Sequence, residues 1–418
     1  MRRRRCNGRS LGTLLVAGAK LAGGASSARA QSAPPDENAQ AAPAVKKTAI
    51  EIYGFAMLDT GYQFGQNDPN WFDVVRPTKL PAFQDEFGKD GRWFSGVRQS
   101  RLGVRTSTPT ELGDLRTVFE FELFGTGVDA GQTTFRLRHA YGELGQFGAG
   151  QTWSPFMDPD VFPNSLEYWG PTGMVFFRNV QVRWMPLGDS NIVLALERPG
   201  ASADQGVYAG RVELQNVKPR FPLPDFSGAY KYSQSWGYVR GAFLIGEMKW
   251  DDVNPDQFNL SGSATRWGIN ISSNLKVATA DTVRLQYVFG EGIQNYMNDA
   301  PVDVGIKNNP GNPVTPVIGV ALPVQGIVAF LDHTWNELFT SSVGYSRIDI
   351  DNSDAQAASA FKDGQYALFN LLYTPVKNVM VGGEFQWGKR ENFSDGFAVS
   401  DYRLQFSFKY NFSYKVGG

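Results

Sequence analysis

From Tyr402 to Tyr414 the chain alternates without interruption: Tyr402, Leu404, Phe406, Phe408, Tyr410, Phe412 and Tyr414 are separated by Arg403, Gln405, Ser407, Lys409, Asn411 and Ser413. A period of two puts one set on one face of a β-strand and the other set opposite, so this stretch has an aromatic face and a polar face and cannot be an amphipathic helix. The same pattern recurs where Val379, Val381, Phe385 and Trp387 alternate with Gly382, Glu384, Gln386 and Gly388. It recurs again where Thr117, Phe119, Phe121 and Leu123 alternate with Arg116, Glu120 and Glu122. Hydrophobic residues make up 42% of the chain, too many for a disordered one. Yet beyond the N-terminus no run approaches the ~18 apolar residues of a spanning helix.

Read along the chain, the pattern predicts sixteen strands: 50–64, 92–107, 113–124, 132–145, 147–153, 173–186, 190–198, 224–233, 236–250, 263–277, 280–290, 324–336, 338–350, 362–374, 377–390 and 400–414. Short connections near Pro109, Gly145, Gly188, Ser235, Thr279, Asn336 and Pro375 alternate with long ones, notably 65–91, 154–172, 199–223 and 291–323. An even strand count, short turns on one side and long loops on the other describe an all-β transmembrane antiparallel barrel with both termini on the periplasmic side. Trp93, Trp184, Trp236, Trp250, Trp267, Trp335 and Trp387 fall near strand ends, where interfacial girdles sit. A secreted β-sandwich also alternates, but its strands need not reach bilayer-spanning length.

Arg2 to Arg5, an apolar stretch from Leu11 to Ala19 and Ala28-Arg29-Ala30 form a secretory leader, residues 1–30. Residues 31–48 contain Pro34, Pro35 and Pro43 and read as a disordered periplasmic tether ahead of the barrel, 49–418. Seven of the 40 Lys and Arg and none of the 41 acids lie in the leader, so the remainder carries 33 basic against 41 acidic residues, net −8. That balance speaks against a nucleic-acid partner. Cys6 lies in the leader without a lipobox, so the exported chain has no disulfide and depends on an extensively paired sheet or a large core.

Phe135-Arg136-Leu137-Arg138-His139-Ala140-Tyr141-Gly142-Glu143-Leu144-Gly145 and Gly148-Ala149-Gly150-Gln151-Thr152-Trp153-Ser154-Pro155-Phe156 resemble the strand-turn-strand that enters the third external loop of trimeric porins. Met157-Asp158-Pro159-Asp160, Phe162-Pro163-Asn164, Glu167-Tyr168-Trp169-Gly170-Pro171 and Gly173-Met174-Val175-Phe176-Phe177-Arg178 narrow this to a resemblance to the DcaP-type outer-membrane channels, as do residues 218–225 and 236–240. The resemblance covers nearly all of 50–414. It implies a sixteen-stranded barrel, a homotrimer in outer-membrane lipid, and passive diffusion of small anionic solutes such as dicarboxylates. The chain departs from the family's pattern in having no apolar heptad in 31–48, where members often carry a coiled coil, and in running on past Phe412.

On the apolar-out rule, Arg101 and Arg105, Arg116, Arg136 and Arg138, and Arg183 face the lumen, because they oppose Leu102 and Val104, Thr117 and Phe119, Phe135 and Leu137, and Val182 and Trp184. Guanidinium groups stay charged and grip carboxylates bidentately, which makes this wall a candidate solute-binding surface. Loop 154–172, with four prolines and four aromatics, is the candidate inward-folded constriction, and Asp158, Asp160 and Glu167 on it are expected to face the arginines and set up a transverse field. The bland alternative is that these arginines only pair with Glu120, Glu122 and Glu143.

His139 and His333 sit on the apolar parity of different strands, and no H-E-x-x-H, G-x-S-x-G or Walker pattern occurs, so no enzyme, metal site or cofactor is expected. Asp349 to Asp354 lacks the glycine of an EF-hand loop. Two other readings remain: a general, weakly selective porin in which arginines and loop acids cancel, and a monomeric barrel plugged by 291–323 with an enzymatic or adhesive role.

Overall fold

The computed structural model describes residues 47–187 and 191–417; the leader, nearly all of the tether and the turn at Gly188 lie outside the described residues. Sixteen antiparallel strands form the wall. They are β1 (Ala49–Gln63), β2 (in two parts, Arg92–Gly96 and Arg101–Thr110), β3 (Gly113–Phe124), β4 (Thr133–Leu144), β5 (Phe147–Trp153), β6 (Arg178–Trp184), β7 (Ile192–Glu197) and β8 (Val217–Arg220 and Asp225–Gln234). The second half comprises β9 (Gly237–Asp252), β10 (Gly262–Lys276), β11 (Asp281–Glu291), β12 (Pro323–Thr334), β13 (Phe339–Ile350), β14 (Phe361–Val376), β15 (Val379–Asn392) and β16 (Ala398–Val416). Each strand pairs with its sequence neighbours, and β1 closes the ring on β16 from Ile50↔Val416 to Gln63↔Arg403. Closure leaves no sheet edge, which hydrocarbon requires because it offers backbone groups no partner.

The burial pattern is that of a soluble protein turned inside out. On β16, Arg403, Gln405 and Ser407 are fully buried, whereas Phe406 is 52% and Tyr410 54% exposed. Outward apolar and inward polar residues suit a wall with lipid outside and protein or water inside. Residues 413–416 continue the last strand against Ile50–Tyr53, so the run beyond Phe412 simply lengthens the closing pair. Most of the girdle tryptophans face outward, but Trp250 turns in and donates its indole N–H to the Leu260 carbonyl at 3.0 Å.

The wall parts from the sequence expectation where the interior is filled. β6 begins at Arg178 rather than 173, because residues 173–177 cross the interior. The Gly173 N–H donates to Ser346 Oγ at 2.9 Å and the Phe176 N–H to the Tyr296 carbonyl at 2.9 Å. A Cβ at Gly173 would lie 2.1 Å from the Arg347 carbonyl oxygen, so this loop needs glycine where it presses on β13. Loop 291–323 contains a hairpin, Val304–Asn308 with Val317–Ala321. On β12 the inward residues Val324, Val328 and Phe330 are apolar, and only Asp332, at the strand's end, is charged. Together with Leu244, Val288, Ile348 and Leu368 those apolar residues form a core with Phe156, Met157, Val161, Met174, Val175 and Met297 of the inward-folded segments. Inward residues are therefore apolar where apolar loop side chains pack on them, and polar where they bond the loop backbone and its acids or line open space.

Candidate functional site: the arginine wall and the loop against it

β3 places Glu120 and Glu122 on the inward face, and its pairing with β4 decides what meets them. The register runs Glu120↔His139 and then Phe121↔Leu137, so Arg138 is the extra residue of a β-bulge. The bulge turns Arg138 and His139 inward together, which corrects the assignment of His139 to the apolar face; it lies 8% exposed with Nδ1 3.0 Å from Thr152 Oγ1. His333 keeps the outward parity and pairs with Asp281 at 2.6 Å.

Arg138 donates Nε to Glu120 Oε1 at 2.6 Å and Nη1 to Glu122 Oε2 at 2.6 Å. Arg101 lies 3.6 Å from Glu120 and 3.5 Å from Glu122, and Arg136 and Arg178 each approach Glu122 to 3.6 Å. Four guanidinium groups thus share two carboxylates. Such close, partly desolvated pairs fix side chains more than they stabilise the fold, since desolvation offsets much of the attraction.

Toward the periplasmic turns this cluster opens into a cavity of about 710 Å³ lined by Arg101, Arg105, Arg116, Arg138, Arg183 and Lys415 against Glu51, Glu120 and Glu143. Arg105 stacks over Tyr53 at 4.0 Å and touches Glu51 only at 4.0 Å. Arg183 stacks over Tyr141 at 5.1 Å and donates to Gln181 Oε1 and the Trp153 carbonyl. Beyond the cluster, Arg136 and Arg178 line a second cavity of about 260 Å³ with Tyr168, Trp169, Phe176 and Asn298. All six arginines singled out in the sequence face one of these two spaces.

The loop acids do not face them. Asp158 is buried and accepts from Tyr238 Oη at 2.8 Å and Ser272 Oγ at 2.6 Å, on β9 and β10. Asp160 takes Lys231 Nζ at 2.8 Å, on β8. Glu167 accepts the Val75 N–H at 3.1 Å and the Gly170 N–H, a turn that Gly170 makes at φ +80°. Their carboxylates are spent on holding the loop to neutral donors and one lysine, because the loop crosses the interior and its buried backbone and acids must find partners. Burial pushes the Glu167 carboxyl up to about 8. The residue that reaches the arginine cluster is Tyr168, whose ring stacks on Phe124 with centroids 4.0 Å apart and whose hydroxyl donates to Glu122.

Arg178 and Arg240, which the alternation does not assign to the lumen, also turn inward, Arg178 to Glu122 and Arg240 to the Pro155 carbonyl. The alternation also misses Arg76, which lies 4.2 Å from the Trp71 ring and 4.0 Å from the Trp169 ring and pairs with Asp299 at 2.9 Å. Arg76 belongs to segment 65–91, which folds inward as well. The available signal was composition: Trp71, Val74, Val75 and Leu80 are too apolar for a solvated loop, and all are buried.

A family model for the DcaP outer membrane protein matches residues 28–412. The chain belongs to the DcaP outer membrane protein family. Among solved structures, this DcaP-family barrel is similar to the outer membrane channel DcaP of Acinetobacter baumannii, with 20% identity, 88% of this chain and 98% of that one covered, and a TM-score of 0.72. It also resembles an anion-selective porin from Comamonas acidovorans (12% identity, 88% and 100% covered, TM-score 0.54) and the trimer form of OmpT from Vibrio cholerae (13%, 88% and 100%, 0.51). No curated protein matches it. Family and fold agree on an outer-membrane channel of sixteen strands rather than an enzyme.

Proposed function

We propose that this channel passes small organic anions, dicarboxylates among them, by passive diffusion along Arg101, Arg105, Arg116, Arg136, Arg138 and Arg183. The observation that carries the reading is the charge imbalance of the larger cavity, six cationic side chains against three carboxylates. In a confined, low-dielectric space such an imbalance concentrates anions and repels cations. Loop 154–177 supplies the narrowing, with Tyr168 at the arginine cluster, and Asp158, Asp160 and Glu167 serve it by anchoring the loop rather than by facing the solute. The chain reaches the membrane with residues 1–30 as a removable leader and 31–48 as a periplasmic tether, and assembles as a trimer through its outer walls. The anion selectivity of the Comamonas barrel and the trimer of OmpT support these readings by likeness of fold.

Reversal potential in a salt gradient across a planar bilayer tests the proposal. Wild-type protein should favour chloride over potassium, and succinate should reduce the current. R105A combined with R183A should move the reversal potential toward zero, because Arg105 is half exposed to the cavity and Arg183 lines it. The pairing of Glu120 and Glu122 with four arginines favours the rival, a weakly selective porin; a wild-type reversal potential near zero would select it.

A further inference from the structure

The loop is also held from β15. Glu384 of β15 is 2% exposed, and its two oxygens receive the N–H groups of consecutive loop residues, Leu166 at 2.7 Å on Oε2 and Glu167 at 3.0 Å on Oε1. Asn370 adds a bond to Oε2 and Gln386 one to Oε1, each at 2.8 Å. All four donors are neutral and directional, so they specify where the loop backbone sits as well as that it is attracted. The next residue passes the constraint on: the Glu167 side chain ties Val75 of segment 65–91 to the Gly170 turn. Tyr168 then reaches Glu122 in the arginine cluster.

We propose that Glu384 is a positioning residue of the conducting pathway: by seating Leu166 and Glu167 it sets where Tyr168 stands against Glu122 and so the width of the opening. This rests on the reading of loop 154–177 as the narrowing.

The seat also responds to protons. Around Glu167 and Glu384 stand Asp59 on β1, Asp73 and Arg98 in segment 64–100, Tyr366 on β14 and Arg403 on β16. Arg98 pairs with Asp73, whereas Arg403 stacks on Phe94 at 3.6 Å and none of its nitrogens has a hydrogen-bond partner. Four carboxylates therefore share two guanidinium groups. Glu167, at about 8 when seated, keeps a proton that a loop released into water would give up near its ordinary 4.5. Seating is thus fully favoured below about pH 4.5 and weakens as the pH climbs toward 8.

Single-channel recording of the full chain in planar bilayers tests this. E384Q turns an amide donor toward one of the two loop N–H groups, and losing one hydrogen bond to a charged acceptor corresponds to roughly a tenfold shift in the seated population. Expected are partial closures and wider openings about ten times as frequent as in wild type, with an unchanged reversal potential. N370A, which removes one donor from Glu384, is the second variant should E384Q fail to assemble. Wild-type fluctuations should rise from pH 5 to pH 8.5 and be flat with pH in E167Q. Steady current in whichever variant assembles, with a flat wild-type pH profile, overturns the proposal. The anion reading stands or falls separately, on the wild-type reversal potential.

Discussion

The two sides of this barrel's interior solve the same problem in opposite ways. Along β2–β6 the inward residues are arginines and glutamates lining open space, and their charges are shared unequally, four guanidinium groups to Glu120 and Glu122. Along β9–β14 the inward residues include the apolar Leu244, Val288, Val324, Phe330, Ile348 and Leu368, closed over by Phe156, Met174 and Met297, with polar ones such as Asn270, Ser272 and Gln286 bonded to the loop between them. The period-two rule holds on both sides. What differs is what each inward face meets, open cavity on one and folded loop on the other.

The largest effect should come from opening the packed side. F156A removes a fully buried ring from the centre of the loop core and should cost about 3–5 kcal/mol, seen as a lower temperature for loss of the compact form on gels. On the charged side, R138A leaves Glu120 and Glu122 without their closest cation, both bonds being 2.6 Å, and should cost about 3 kcal/mol. The contrast sharpens with R105A, which should leave stability within about 0.5 kcal/mol of wild type while still shifting the reversal potential. Y168F removes the hydrogen bond from the loop to Glu122 in the arginine cluster; a loss of about 1–2 kcal/mol in loop seating should appear as larger mean conductance. Smallest of all, R211A and R220A delete exposed pairs with Glu213 and Asp251 and should change neither stability nor current, which would confirm that the loop rim is not part of the comparison.

The wall was readable from the sequence because lipid imposes one demand on every strand. Sixteen strands follow from alternation and turn signals, and even the lumenal direction of Arg101, Arg105, Arg116, Arg136, Arg138 and Arg183 follows from parity. The failures mark where tertiary packing replaced that demand. His139 turned inward because a single extra residue in β4 resets parity, and a bulge has no signature in an alternating pattern. The alternation starts β6 five residues early because Gly173 to Phe177 are as apolar as a strand, but they are apolar to pack inside the barrel. Charge alone points Asp158, Asp160 and Glu167 at the arginines, whereas Tyr238, Ser272, Lys231 and the Val75 N–H hold them, and those partners are distant in sequence. Charge attraction is visible in composition; the competition of neutral donors is not.

The seam between β1 and β16 joins segments separated by nearly the whole chain, with Ile50 beside Val416. Loop-closure entropy grows with separation, so of all the strand pairings this one is the most costly to nucleate and belongs at the end of folding. Until it forms, both flanking strands present bare backbone that neither lipid nor the other fourteen strands can satisfy. The molecule therefore has no useful half-built state in the bilayer. Its biogenesis must deliver the first strand and the last to the same place at the same time, and any damage to either, such as loss of the alternation at Tyr402–Tyr414, should register as missing protein rather than as an impaired channel.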